Sequence, residues 1–231
     1  MALDYFERDL ITIPPPLFGK SSLTIVPDKV KGANGLEIDS IWLMFLNRTP
    51  SRGSKGSIQT TSYRLVFTDP MTPKGPAPRL AIYRSSILPE SGKTNNFLRS
   101  TDLHEEFWEP QWDLYQDQNG GRALLDGYLV EGVVDFKAVL NYTYQETDDS
   151  GLQGETQLGS TEILEPVIWT TQGFVADDIP TPNSPVSITI SITTLNSADA
   201  KRINSNPQDF ERVVNSNGLT ISRTIPFISS L

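Results

Sequence analysis

Twelve residues, Val134–Gln145, set the tightest limit on how this chain can fold. Val134, Phe136, Ala138, Leu140, Tyr142 and Tyr144 alternate with Asp135, Lys137, Val139, Asn141, Thr143 and Gln145. A helix would scatter this pattern around its axis, whereas successive side chains of a strand point to opposite faces. The stretch reads as a strand with one face for a core and the other mainly polar. Pro185–Leu195 repeats the alternation, with Val186, Ile188, Ile190 and Ile192 on one face. The two are expected to be central strands of one antiparallel sheet, with Phe136, Leu140, Ile188 and Ile190 in its core. On that reading Leu140→Ala costs stability and Asn141→Ala costs almost none.

Further strands are read at Ser22–Val26, Glu37–Leu46, Ile58–Thr68, Arg79–Ile87, Val167–Trp169 and Leu219–Ile228. In Glu37–Leu46, Ile38 and Ile41 through Leu46 are dense enough to be buried on both faces. Tyr63, Leu65 and Phe67 point one way, Arg64, Val66 and Thr68 the other. This strand forms a hairpin with Arg79–Ile87 across the Pro-rich turn Asp69–Pro78. Ser100 or Thr101 stands where a cap is needed for a short helix through Leu103, Phe107 and Trp108, and Ser197 does so for Ser197–Arg202. A second helical turn is read near Pro207–Val214, and Asn217-Gly218 is a hairpin-type turn signal. Val30–Gly35 and Asp117–Gly121 read as turns, Thr49–Ser57 as a basic loop and Thr147–Ser160 as an acidic one.

Ahead of these strands, Ala2–Leu10 reads as a helix. Leu3, Phe6, Leu10 and Ile13 recur at spacings of three, four and three, forming one apolar stripe. Asp4, Glu7 and Arg8 fall on the other side, with Asp4 and Arg8 as helical neighbours. Pro14, Pro15 and Pro16 end the helix. So short a helix is marginal alone. Its stripe, worth roughly 1.5–3 kcal/mol per large side chain buried, holds it only against a surface supplied by the rest of the chain. The reading is α+β: one domain, residues 1–231, with a helix end over 1–13 and a β-rich part over 14–231.

A net charge of −9 and a pI near 4.6 argue against nucleic acid and anionic lipid as partners. No apolar run approaches 18 residues and no signal-peptide pattern is present. The lack of cysteine excludes disulfides and thiol catalysis. The one histidine, His104, sits in Leu103-His104-Glu105-Glu106, without the second histidine of a zinc helix or a positioned nucleophile. Asp148, Asp149 and Glu155 offer oxygen ligands that suit calcium but lack the regular alternation of a calcium loop. Asp117 and Asn119 are turn residues. Glu105, Glu106 and Glu109 lie beside Phe107, Trp108 and Trp112, an acidic cluster with aromatic platforms of the kind sugar chemistry uses. A docked segment with a charged exterior explains them more simply. Gly53-Ser54-Lys55-Gly56 lacks the spacing of a phosphate loop. The expectation is a non-enzymatic protein with no metal and no cofactor.

In chain order these segments resemble the type IV prepilin-like proteins, in particular the J-type minor pseudopilins of type II secretion and the W-type minor pilins. Leu3, Arg8, Asp9 and Leu10 match the segment ending their long N-terminal helix. Ile38–Leu46 stands where they carry a strand. Tyr63-Arg64-Leu65 matches a Tyr-Arg-Leu centre, and Ile82-Tyr83-Arg84 approximates a Leu-Tyr-Arg element. Leu129, Gly132, Val133 and Phe136 match an L-x-x-G-V-x-x-F segment, and Pro185–Leu195 a Pro followed by alternating Val/Ile and Thr. Ser197–Val214 departs from the family as a longer excursion before the last strand.

The resemblance implies a pilin-like fold, an N-terminal helix packed on an antiparallel sheet with inserted loops and short helices. Leu3, Phe6, Leu10 and Ile13 would fix that helix on the sheet. It implies a subunit that assembles with other minor pilins or pseudopilins at the tip of a pilus or secretion fibre. Such a subunit is periplasmic and anchored in the inner membrane by a helix ahead of Leu3, with Met1 an added start. Two other classes remain. The Pro, Ser and Thr content with long loops suits a viral tail or capsid protein, and Trp108 and Trp112 suit a carbohydrate-binding β-rich domain. The pilin resemblance predicts roughly 20 apolar residues encoded directly before Leu3. A short basic leader with a peptidase site precedes them, and an acidic residue lies a few positions into the mature chain. Sequencing the locus checks this, and a native frame opening at Met1 with no apolar stretch upstream favours the viral class instead.

Overall fold

The computed structural model describes residues 2–16, 20–32, 35–48, 58–67, 80–87, 101–109, 127–147 and 153–227. Helix α1 spans Ala2–Leu10. Strands follow at β1 Leu23–Lys31, β2 Glu37–Arg48, β3 Ile58–Phe67, β4 Leu80–Ile87, β5 Gly127–Glu131, β6 Val133–Thr147 and β7 Gln153–Glu162. Next come β8 Val167–Thr170, β9 Gly173–Val175 and β10 Asn183–Thr194. Helices α2, Ser197–Ser205, and α3, Phe210–Asn217, precede the last strand, β11, Leu219–Pro226.

These strands form two antiparallel sheets. A seven-stranded sheet runs β5-β4-β3-β2-β1-β8-β9 and a four-stranded one β11-β10-β6-β7. Ile25, Leu43, Tyr63, Leu65 and Ile82 of the first share one core with Phe136, Leu140, Ile188, Ile190 and Ile192 of the second. This corrects the α+β expectation of a helix packed on one sheet. The protein is mainly β, and α1 lies in the seam between two sheets, not on the face of one. The reason is that both β2 and β6 carry an apolar face, and two such faces bury each other in a sandwich. The expected pairing of the two alternating segments is present. β6 and β10 are antiparallel neighbours at the centre of the smaller sheet, with Phe136 opposite Ile192 and Leu140 opposite Ile188.

The chain passes from one sheet to the other at Gly132, between β5 and β6. Its φ of +72° is a backbone conformation that L side chains avoid, and a Cβ there would meet the Leu195 carbonyl at 2.5 Å. The Gly132 amide donates to the Leu80 carbonyl (2.9 Å) and its carbonyl accepts from the Leu195 amide (2.8 Å), so this corner is tied to both sheets.

Strand β2 is buried on both faces, as its composition suggests. Its outer side, Trp42, Met44 and Leu46, lies under Leu103 and Trp108 of a segment that makes one wide helical turn over His104–Trp108. Asp102 supports that turn, its carboxylate accepting from the amides of His104 and Glu105. The residues expected in that role are Thr101 and Ser100, the latter outside the described residues. In the same way Asn196, not Ser197, caps α2, accepting from the amides of Ala198 and Asp199. An asparagine one position earlier reaches the free N–H groups that a residue inside the first turn cannot.

Three other expectations shift. Gly218 ends α3, its amide donating to the Val214 carbonyl (2.8 Å) at φ −67°, so Asn217-Gly218 makes no hairpin. Val186 is half-exposed because the β6–β10 register shifts between Pro185 and Ser187, and this bulge turns it off the core face. The second half of the acidic loop is strand β7, paired to β6 from Gln153 to Glu162. It is an edge strand held by backbone bonds, so it shows no apolar alternation, and Gly159 leaves room for the Tyr142 ring.

The fully buried Leu140 should lose ~2–5 kcal/mol on truncation to Ala. Asn141 is a poor control, because its side-chain amide donates to Ser187 at 3.0 Å. Ser191→Ala, on the solvent face of β10, should move stability by no more than ~0.5 kcal/mol. Urea denaturation of both variants checks the face assignment, and equal losses would contradict it.

Candidate functional site: the seat of helix α1

Helix α1 is seated by residues from both sheets. Leu3, Phe6, Leu10 and Ile13, the expected packing residues, are all buried in the shared core. The Phe6 ring stacks on Tyr63 of β3 (centroids 4.2 Å apart) and leans on Phe136 of β6 (5.6 Å). Aromatic pairs of this geometry add about 0.5–1.5 kcal/mol beyond the area they bury.

Asp9 is buried as well, at 4% exposure. One carboxylate oxygen accepts from the Arg84 Nε at 2.6 Å and from the Tyr63 hydroxyl at 2.7 Å. The other accepts from the Arg8 Nε at 3.1 Å. On the opposite flank of the helix, Arg223 Nη1 of β11 donates to Asp4 (2.8 Å) and Glu7 (2.6 Å). The body thus presents two guanidinium groups, one from each sheet, to a helix that carries Asp4, Glu7 and Asp9. Asp4 is held across the fold by Arg223, not along the helix by Arg8 as its spacing suggests. Thr12 closes the helix end, its hydroxyl donating to the Asp9 carbonyl while its own carbonyl accepts from the Arg48 amide.

Burial pushes the Tyr63 phenol well above its ordinary value, and the adjacent Asp9 charge pushes it further. Burial works against the Arg84 charge, but the hydrogen bond and charge of Asp9 more than reverse this and hold Arg84 above its ordinary value. The phenol therefore stays neutral and the guanidinium charged near neutrality.

Among the described residues, those weighed for catalysis are not brought together. His104 meets Trp42 edge-on at 5.1 Å, and Arg64 covers the same indole at 4.1 Å while donating twice to Asp28. Trp108 offers no sugar platform. It is buried, with its indole N–H donating to Thr60 at 2.9 Å. Glu105 and Glu109 are exposed. Glu155 is exposed on β7, and its proposed calcium partners Asp148 and Asp149 lie outside the described residues, as do Trp112, Asp117, Asn119 and Gly53–Gly56. Among the described residues no three Asp, Glu, His or Cys side chains are grouped to hold a metal ion, and no helix is long and apolar enough to cross a membrane.

Sequence reasoning missed one concavity, a cleft of about 750 Å³ between β2, β6 and α3. Glu37, Asp39, Asp135 and Glu211 line it with Lys137. Burial holds the Asp135 carboxyl above the usual range, partly offset by Lys137. These residues are far apart in sequence and had no local signal. Asp9 had none either, since beside the apolar stripe it reads as one more polar position. Neither protein-family models, nor curated proteins, nor solved structures gave a match to this chain.

Asp9→Ala should destabilise by ~1–3 kcal/mol, because it takes away the carboxylate that accepts from Arg84 and Tyr63. Asp4→Ala, at an exposed pair, should leave the urea midpoint nearly unchanged. Tyr63 gives a pH test. A phenol with a raised folded pKa contributes stability below the unfolded value of 10.0, lost as pH rises above it. Tyr63→Phe should therefore flatten the fall in stability above pH ~10, and an unchanged alkaline slope would show that Tyr63 is not shielded.

Proposed function

We propose that this chain is a non-enzymatic subunit of a type IV pilus-like or type II secretion fibre, and that α1 joins its body to the assembly. The observation that carries this reading is the pair formed by the buried Asp9 and the half-buried Arg84. A helix needed only to complete a core is held as well by apolar contacts, since a buried ion pair adds little net stability over hydrophobic residues of its size. What the pair adds is register. With Asp9 on Arg84 and Asp4 and Glu7 on Arg223, α1 can neither slide nor roll on the body. A helix fixed in this way transmits the position of the body to whatever it joins, which is what a fibre subunit needs. The four apolar stripe residues are spent on the subunit's own core, so contacts to other minor pilins or pseudopilins fall on other surfaces. The site of action is extracytoplasmic, with anchorage in the inner membrane before assembly.

Fractionation of cells expressing the protein from its native locus tests this reading. The protein is expected in the membrane fraction and in sheared surface fibres. Asp9→Ala should stay in the membrane fraction and leave the fibre fraction. Recovery of the wild type only as free soluble protein or in virus particles overturns the assignment.

A further inference from the structure

We propose that strand β11 is a dimerisation edge, pairing antiparallel with the β11 of a second copy about a two-fold axis at Ser222. Among the described residues, β5, β9, β7 and β11 are the strands that end a sheet. Exposed edges invite pairing with another chain, and short strands, bulges and charges are the usual guards against it. β9 is guarded by its length of three residues. β5 has five residues and meets β4 across a register shift. β7 carries Glu155 and Glu162, and its pairing with β6 also shifts register. β11 has none of these guards. Its eight residues keep one register on β10 from Leu219 to Pro226. Its single charge, Arg223, is already engaged by Asp4 and Glu7. Leu219, Thr220, Ile221, Ser222 and Thr224 are exposed, Leu219 to 65%.

The occupant follows from which main-chain groups point outward. The Phe227 amide donates to the Val186 carbonyl, just ahead of Ser187 on β10, at 2.9 Å. The direction of N–H and C=O alternates along a strand, so Ile225, Arg223, Ile221 and Leu219 also turn their main chain to β10. Thr224, Ser222 and Thr220 turn theirs away from the sheet. This outward window closes at both ends, because the Gly218 amide is taken by the Val214 carbonyl and Pro226 has no N–H. Gly218 and Pro226 stand equally far from Ser222, so the window is symmetric about that residue. A second β11 run antiparallel matches it from end to end. Ser222 faces Ser222 and Thr220 faces Thr224, with every outward N–H and C=O paired. On the same pairing Leu219 faces Ile225 and Ile221 faces Arg223, so no like charges oppose each other. The strand also brings no carboxylate to the contact, in a chain of net charge −9. Such an isologous contact closes at two copies and joins their two four-stranded sheets into one.

The inference stands independently of the fibre reading and is tested on purified full-length protein. Sedimentation equilibrium of the wild type should show a reversible dimer. Ser222→Pro removes an outward N–H that no bond to β10 uses, and Ile221→Lys sets a second cation against Arg223 of the other copy. Each should weaken association at least ~10-fold. The urea midpoint of Ile221→Lys, at a half-exposed position, should stay close to that of the wild type, showing that the fold is kept. The chain has no cysteine, so introduced thiols report without interference. In Ser222→Cys the two thiols face each other across the axis, with Cα atoms about 5.5 Å apart, within the reach of a disulfide. Mild oxidation should give a covalent dimer at least ~10-fold faster than for Ser160→Cys, exposed on the opposite edge strand β7. A wild type that stays monomeric overturns the proposal. So does a dimer that Ile221→Lys leaves intact, or one in which Ser222→Cys is oxidised no faster than Ser160→Cys.

Discussion

A single buried carboxylate decides how the two sheets and the helix fit together. Asp9 has the Arg84 guanidinium and the Tyr63 hydroxyl on one oxygen, and Tyr63 in turn supplies the face on which Phe6 stacks. Removing water from a charged pair is costly, and only a fully satisfied geometry recovers that cost. The pair therefore tolerates one placement of α1. From that placement follow the wedge of Phe6 between Tyr63 and Phe136, the reach of Arg223 to Asp4 and Glu7, and the closure of the seam between the sheets.

The other side of the larger sheet is organised by a different chemistry. There neutral hydroxyls act beside the Arg64–Asp28 pair that covers Trp42. Thr60 accepts the Trp108 indole N–H, Ser62 accepts that of Trp42 at 2.6 Å, and Thr24 accepts the Leu103 amide. Each buried ring or amide finds its partner on a strand, as a buried indole requires. The segment over β2 is thus held by polar contacts specific to these positions as well as by its apolar residues.

Much of the strand content could be read from the chain because it rests on local alternation. Phe136, Leu140, Ile188 and Ile190 sit in the core as their spacing indicates. How many sheets the strands form could not be read that way, because a core face looks the same whether a helix or a second sheet covers it. The helix stripe was legible, yet its anchor was not. Asp9 counts as polar in any periodicity, and its value depends on Arg84, 75 positions away. Strand β7 was missed because an edge strand stabilised by main-chain pairing needs no apolar pattern. Val186 was misplaced because a bulge, which leaves no mark in hydropathy, reverses the face of every residue on one side of it.

The strand order also has a temporal consequence. The sheets are interleaved along the chain, with β6 and β7 of the smaller sheet made before β8 and β9 complete the larger. Helix α1 is synthesised ahead of both sheets, while Arg223, which closes its seat, follows Asp4 by 219 positions. Long-range pairing of this kind is slow, since the entropy of closing such loops is lost before the contacts form. For the whole of that interval on the ribosome the apolar stripe of α1 has no finished seat of its own. The fold thus leaves its most adhesive helix uncovered longest, and a chaperone or neighbouring chain has its best access to α1 during translation.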